Sequence, residues 1–269
     1  MRISAVLVAL SLAAPVAADE ISAADLPARI IAAAPQIAVL GEVHDNAAHH
    51  LAQAAAVAAL QPKALVFEML DPAQAAKVTP DLIATPDKLA EVLGWEASGW
   101  PDFAIYAPIF AATPTARIYG AALPRDQVRR AMKEPLAQVF PEAARFGIDA
   151  PYPAELQARL EAETQADHCN ALPVEMLPGM VAAQRLRDGA FAQTTLQALA
   201  DTGGPVAVIT GSGHARADRA VPALIAKAEP GVKLLSLGQL ERPAAGDQPF
   251  DLWIVTDPAP REDPCKAFQ

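Results

Sequence analysis

Ile37-Ala38-Val39-Leu40-Gly41-Glu42-Val43-His44-Asp45-Asn46 is the stretch from which the rest of the chain can be read. Four apolar residues with the look of a buried β-strand run directly into a carboxylate, an imidazole and two small polar side chains. The same pattern returns far downstream, where Val206 to Thr210 runs into Gly211-Ser212-Gly213-His214. With 14 glycines and 5 histidines, chance supplies about a quarter of one Gly-x-x-His pair. Two of them, each behind a β-prone run, mark a site. A glycine-flanked histidine at a strand exit has little packing purpose, and the glycine backbone permits close approach of a ligand.

Working outward, His49 to Leu60 reads as an Ala-rich helix and Ala64 to Met69 as a second buried strand that carries Glu68 near its end. This is the strand-helix-strand rhythm of a parallel sheet. Arg117 to Ala121 is a weaker strand, Val206 to Thr210 a strong one, and Lys233 to Leu237 and Leu252 to Thr256 complete the set. Between Arg125 and Ala200 the pattern is helical, with helices expected over Pro153 to Asp167 and Leu177 to Leu199 and no strand. The expected fold is α/β: an open, mostly parallel sheet flanked by helices, with a helical insertion or cap at about 125–200, in a single domain spanning 19–269. In such sheets ligands bind beyond the carboxyl ends of the strands. Glu42, His44, Glu68 and His214 all fall at such ends, so the fold is expected to gather them in one crevice.

Residues 1–18 combine Met1-Arg2, the apolar run Ile3 to Leu12 and the small residues Val16-Ala17-Ala18, the pattern of a cleaved signal peptide. No later apolar run is long enough to span a membrane, and no cysteine stands at the cleavage point to carry a lipid. A periplasmic or secreted protein, soluble after cleavage, is expected. The net charge of −10, one unit more negative once Arg2 is removed, argues against nucleic acid as a partner. The two cysteines, Cys169 and Cys265, can bridge in an oxidising compartment or stay apart. Plain structural roles exist for several residues. Glu68 can be a buried carboxylate paired with Arg117 or Arg216, Asp45-Asn46 can cap a helix, and His49 and His50 are expected to be exposed rather than ligating.

Leu40 to Asn46 with His49-His50, Val66-Phe67-Glu68-Met69, Gly94-Trp95 to Gly99-Trp100-Pro101-Asp102, His168-Cys169, Ala183-Gln184-Arg185 to Arg187-Asp188 and Gly211 to Arg216 together resemble the ChaN-like haem-binding uptake proteins. Their broader superfamily is similar to the Tiki metalloproteases and erythromycin esterases. The paired Gly-x-x-His elements and glutamate of that superfamily fall on His44, His214 and either Glu42 or Glu68. The resemblance implies haem binding in bacterial iron acquisition, tyrosine ligation of the iron, a homodimer and an outer-membrane haem receptor as partner. The wider kinship implies hydrolysis as the alternative.

Haem requires an axial donor, an apolar slot and cationic groups for its propionates. Tyr106, Tyr119 and Tyr152 are the three tyrosines, and Tyr152, within the expected cap, ranks with His168 as candidate iron ligand. Tyr106, Arg216, Asp45 and Asn46 complete the candidate haem-contact set. Phe103, Tyr106 and Phe110 share a helix face near Trp95 and Trp100, which an ordinary helix covering the sheet also explains. Arg125, Arg129, Arg130 and Lys133 offer either a propionate-facing stripe or a solvated helix face. For the hydrolase alternative, His44, His214 and Glu42 or Glu68 can hold a divalent metal ion, or act without metal as general base and steering carboxylate. No His-Glu-x-x-His element or Gly-x-Ser-x-Gly elbow is present.

Overall fold

The computed structural model describes residues 19–244, 246–263, 265 and 266. The expected leader, 1–18, lies outside the described residues. Seven strands form one sheet: β1 (Asp19–Glu20), β2 (Ile37–Glu42), β3 (Ala64–Phe67), β4 (Arg117–Gly120), β5 (Val206–Gly211), β6 (Leu234–Glu241) and β7 (Leu252–Thr256). The order is β1-β7-β6-β2-β5-β3-β4, and every pair is parallel. The α/β parallel sheet expected from the sequence is therefore present. β1 was not foreseen, because Asp19-Glu20 carries no strand signal and is held only by its register with Leu252-Trp253. β6 runs on to Glu241 rather than stopping at Leu237. Its polar Gln239 is accepted in the interior because its side-chain amide donates to the carbonyls of Gly41, at 2.8 Å, and His49, at 3.1 Å.

Alternation along the strands divides the core into two layers. Ala38, Leu40, Leu65, Phe67, Ala207 and Ile209 face the helices Leu26–Ala33, Ala47–Leu60 and Phe103–Ala112. Ile37, Val39, Ala64, Val66, Val206 and Val208 face Leu177–Thr202 and Val221–Ala228. Phe103, Tyr106 and Phe110 belong to the first layer, so that helix covers the sheet, with Phe67 and Phe110 stacked at 4.3 Å. The segment from Arg125 to Thr202 holds helices and no strand among the described residues. Its two long members, Ala154–Asp167 and Leu177–Thr202, pack on each other, and Gly203 at φ 72° ends the second.

Chain order explains the crevice. From β2 the chain moves outward to β3 and β4, then returns to lay β5 between β2 and β3, and from β5 it crosses to β6 on the other side of β2. The helix after β2 covers one face and the helix after β5 the other. Loops leaving two adjacent parallel strands toward opposite faces open a cleft at their carboxyl ends.

Candidate functional site

β2 delivers Glu42 and the residue beyond it delivers His44. β3 delivers Glu68, whose amide still donates to the Ile209 carbonyl at 3.0 Å, and the turn after β5 delivers His214. His44 Nε2 lies 4.0 Å and His214 Nε2 3.7 Å from the same oxygen, Glu68 Oε1. The four residues expected at the strand ends therefore meet. On the far side of each ring stands another carboxylate. His44 Nδ1 is 2.9 Å from Glu42 Oε1, and His214 Nδ1 is 2.6 Å from Asp188 Oδ1. Each Nδ1 is thus engaged by a carboxylate, and each Nε2 faces Glu68.

Two glycines make this approach possible. A Cβ on Gly211 would stand 3.0 Å from His44 Nε2, and one on Gly41 would stand 2.8 Å from the Leu237 carbonyl oxygen and from Ser212 Cα. Of the three glycines in the two motifs, Gly213 alone meets nothing within 4 Å and leaves space for a ligand. The glycine that opens each Gly-x-x-His motif thus serves packing between β2 and its neighbours, not ligand approach as the sequence suggested.

Electrostatics follow from burial and partners. Burial opposes charging of His44, but its hydrogen bond to Glu42 and the charge of Glu68 outweigh it and hold the imidazole pKa above the usual value. For His214 burial is likewise outweighed by Glu68 and Asp188, again raising the pKa. Burial opposes ionisation of Glu68, yet the two histidines and the bonds from Thr210 Oγ1 (2.7 Å) and the Gly211 amide (2.8 Å) bring its carboxyl below the ordinary range. Asp188 is pushed up by burial, against the pull of His214. Glu68 pairs with neither Arg117 nor Arg216, which turn to Asp201 and Asp218.

His49 and His50 contradict the exposure expected of them: both are fully buried at the start of helix Ala47–Leu60. Helix Phe103–Ala112 covers that end of the layer, and polar groups there need internal partners. His49 Nδ1 accepts from the Val43 amide at 2.9 Å and Nε2 meets Thr256 Oγ1 at 2.8 Å. Burial depresses its pKa to about 4. His50 Nε2 donates to the His44 carbonyl at 2.8 Å, while its Nδ1 stands 3.2 Å from Glu42 Oε2, off line for a hydrogen bond. Tyr106, also fully buried, donates to Glu42 Oε1 at 3.1 Å and stands behind the site rather than in it. Burial and the charge of Glu42 push its pKa far up.

Asn46 caps helix Ala47–Leu60 through the Ala48 amide, and its amide group donates to Glu241 at 2.7 Å. Asp45 receives both arms of Arg261, at 2.6 and 2.7 Å, and Arg261 also grips Glu241. Asp45, Asn46 and Arg216 are therefore committed to structural contacts away from the cleft.

The cap supplies residues that the sequence reading did not assign. Gln184, Asp188 and Phe191 lie on one face of Leu177–Thr202 and enclose His214: the Gln184 amide reaches Nε2 at 3.0 Å and the Phe191 ring centroid lies 4.8 Å from the imidazole. The available signal was Asp188, a carboxylate on the apolar face of Val181, Phe191 and Ala192.

Two cavities flank this cluster. The first, of about 460 Å³, is lined by Tyr152, His168, Leu160, Met180, Arg185 and Gly213, among others. His168 Nδ1 donates to the Thr164 carbonyl at 2.7 Å, which fixes the tautomer and leaves Nε2 as a lone-pair donor. Arg185 lies over the Tyr152 ring, 4.0 Å from its centroid, and donates to the Gly147 and Ala150 carbonyls. Burial raises the Tyr152 pKa while the Arg185 charge opposes it. Cys169, adjacent to His168, is bridged to Cys265. The second cavity, of about 490 Å³, is lined by Glu68, His214, Trp100, Arg125, Arg129 and Arg187, among others. The basic stripe read from the sequence divides here, since Arg130 pairs with Glu134 at 2.7 Å and faces away.

Among the described residues, no group of three or more His, Cys, Asp or Glu side chains is disposed to hold a metal ion. The proposed ligand set of His44, His214 and Glu42 meets a geometric obstacle: Glu42 occupies the Nδ1 side of His44, opposite the nitrogen that faces Glu68. The divalent-metal alternative therefore finds no support.

Residues 31–225 match the family model described as haem-binding uptake, Tiki superfamily, ChaN, and the chain belongs to that family. Among solved structures it is similar to ChaN of Campylobacter jejuni, solved for cofacial haem binding, with 18% identity, a TM-score of 0.63, and coverage of 86% of this chain and 91% of that one. It is more distantly similar to the type III effector HopBA1, with 12% identity, a TM-score of 0.47, and coverage of 85% and 91%. No curated protein matches it.

Proposed function

We propose that the protein is an exported haem-binding protein acting in haem or iron uptake. One observation carries this reading: Tyr152 and His168, two donors suited to ferric iron, line a single cavity of about 460 Å³ together with apolar Leu160, Met180 and Val181 and the cation Arg185. The donor set fits the group. Tyr152 or His168 would supply the iron ligand, and Arg185 and Arg219, held in place by the Gly147 and Ala150 carbonyls and by Glu163, would face the propionates. Bound haem would supply iron as cargo. The chain's own task is to orient the macrocycle, exclude water from one face and ease loss of the phenol proton to solvent on ligation, which the Arg185 charge beside Tyr152 favours.

Membership of the family supports the same ligand. The bridge between Cys169 and Cys265 supports a periplasmic or secreted location, reached through the leader expected at 1–18. Among the described residues no helix is long and apolar enough to cross a membrane. Exposed Val174 and Met176, on the short turn leading into the helix that carries Met180, support a homodimer joined through the cap; an outer-membrane receptor as donor of haem follows from the family resemblance alone.

Hemin titration of the purified mature chain tests the proposal. A Soret band that sharpens and saturates at a defined stoichiometry is expected, and its absence removes haem binding. A second reading is favoured by the two imidazole-carboxylate units, which suit metal-free hydrolysis with His44 or His214 as general base. Ester turnover by metal-stripped protein, lost in His214→Asn, would carry it; inert protein would dismiss it.

A further inference from the structure

We infer that the second cavity is a binding site for a small free anion carrying two or more carboxylate or phosphate groups, distinct from the haem cavity. The charge distribution is the first reason. The chain has 31 acidic and 21 basic residues, and the other arginines lining the two cavities, Arg185 and Arg219, are held by carbonyls or carboxylates. Arg125, Arg129 and Arg187 nevertheless converge on one cavity of about 490 Å³, and none has an ion-pair or hydrogen-bond partner among the described residues. Arg130, on the same helix as Arg125 and Arg129, is instead tied to Glu134 and Gln138. The helix thus divides its arginines between one that is used structurally and two that are left for something else.

Exposed Arg125 and Arg129 and half-buried Arg187 line one cavity, and each planar guanidinium can engage an oxyanion through two parallel N–H donors, so a ligand with two or more anionic groups can use several of them at once. A negative protein with a local positive cavity also attracts such a ligand selectively, the opposite field elsewhere discouraging non-specific binding.

The cavity floor is compatible with an anion although it contains Glu68. Glu68 Oε2 is occupied by Thr210 and the Gly211 amide, and Oε1 faces two imidazoles. Its charge is compensated before any ligand arrives. Trp100, Leu123, Val128 and Phe191 complete the wall with apolar surface, which suits a compact carbon skeleton rather than a hydrated inorganic ion alone. Tyr152 and His168 line the other cavity, and Gln184 and Arg187 line both. Two ligands can therefore be held side by side with a shared wall.

Calorimetric titration of the full haem-free chain with citrate and, separately, with inorganic pyrophosphate tests the inference, with Trp100 fluorescence as a second readout. Saturable 1:1 binding of at least one probe is expected, weakened at least tenfold in Arg125→Ala/Arg129→Ala and unchanged in Arg130→Ala. Preference for citrate or pyrophosphate identifies the carboxylate or phosphate source. Hemin affinity of the double variant should stay within twofold of the parent, which also shows that the variant is folded. The inference is overturned by absence of saturable binding of both probes, or by binding that the double variant retains. It is equally overturned if hemin displaces the anion and the double variant loses hemin, since the arginines would then receive haem propionates.

Discussion

At the strand ends, Glu42, His44, Glu68, Asp188 and His214 meet one another at 2.6–4.0 Å, and nearly every polar atom there is engaged by a neighbour. Under the cap, His168 keeps one ring nitrogen uncommitted and faces a cavity with Tyr152. The first region is largely satisfied by its own members, built mainly on strand ends and closed up by glycine contacts. The second is half-buried, built on helices and held by a disulfide. The difference indicates where each kind of work resides: a network that satisfies itself holds and moves protons, whereas unspent donors beside a cavity are where a ligand finds its atoms.

The strongest test of this contrast is Glu42→Ala. It strips a partner from His44 and Tyr106 at once and is expected to cost about 3–5 kcal/mol in denaturant unfolding. A loss below about 1 kcal/mol would show that the strand-end network is not the structural hub described here. The cap should respond to a different insult. Removing the disulfide by Cys169→Ser/Cys265→Ser opens a link across 96 residues and should cost about 2–4 kcal/mol, read as a lower unfolding midpoint. An unchanged midpoint would mean that the cap is held by packing alone.

Acid divides the groups around the strand ends by sign. His49 has a folded pKa of about 4 against 6.5 when unfolded, so the unfolded chain binds more protons between these values. Its contribution is complete above about pH 6.5 and lost as pH falls toward 4, roughly 3 kcal/mol in all. Glu241, held at about 2 by Arg261, extends the loss below its unfolded value of 4.5. His44 and His214, whose folded pKa values are raised, act oppositely: their contribution is present below 6.5 and fades as pH rises through their folded values. Stability measured against pH should fall on the acid side, and His49→Asn should flatten that limb. A limb of unchanged slope would place the acid sensitivity elsewhere.

The smallest expected effect is Gly211→Ala, whose Cβ would press His44 Nε2 at 3.0 Å. A loss of about 1 kcal/mol and a shifted His44 imidazole resonance are expected, with hemin affinity unchanged. A matching loss of hemin would join the two regions into one site.

Much of this was legible in the sequence because strands announce themselves. Val206 to Thr210 and Ile37 to Leu40 are short apolar runs bounded by glycine, and parallel topology then requires their carboxyl ends to adjoin. That is why Glu42, His44, Glu68 and His214 could be assigned together. The fate of His49 and His50 was illegible, because a helix start is exposed by default and the groups that cover them are remote in sequence: Thr256 and Gln239 against His49, and Tyr106 of helix Phe103–Ala112 over His50. Asp188 was missed for a related reason: its meaning depends on which face of Leu177–Thr202 turns toward β5, which no local pattern states. The tyrosines differ likewise. Tyr106 and Tyr152 look equivalent as letters, yet one is sealed behind Glu42 and the other lines a cavity.

Locating the iron in a crystal of the hemin complex tests the account most directly. The account predicts iron under the cap, within coordination distance of Tyr152 Oη or His168 Nε2, with Tyr152→Phe or His168→Ala weakening hemin at least tenfold according to which atom ligates. Iron bound at His44 or His214, with both cap variants unaffected, would contradict it.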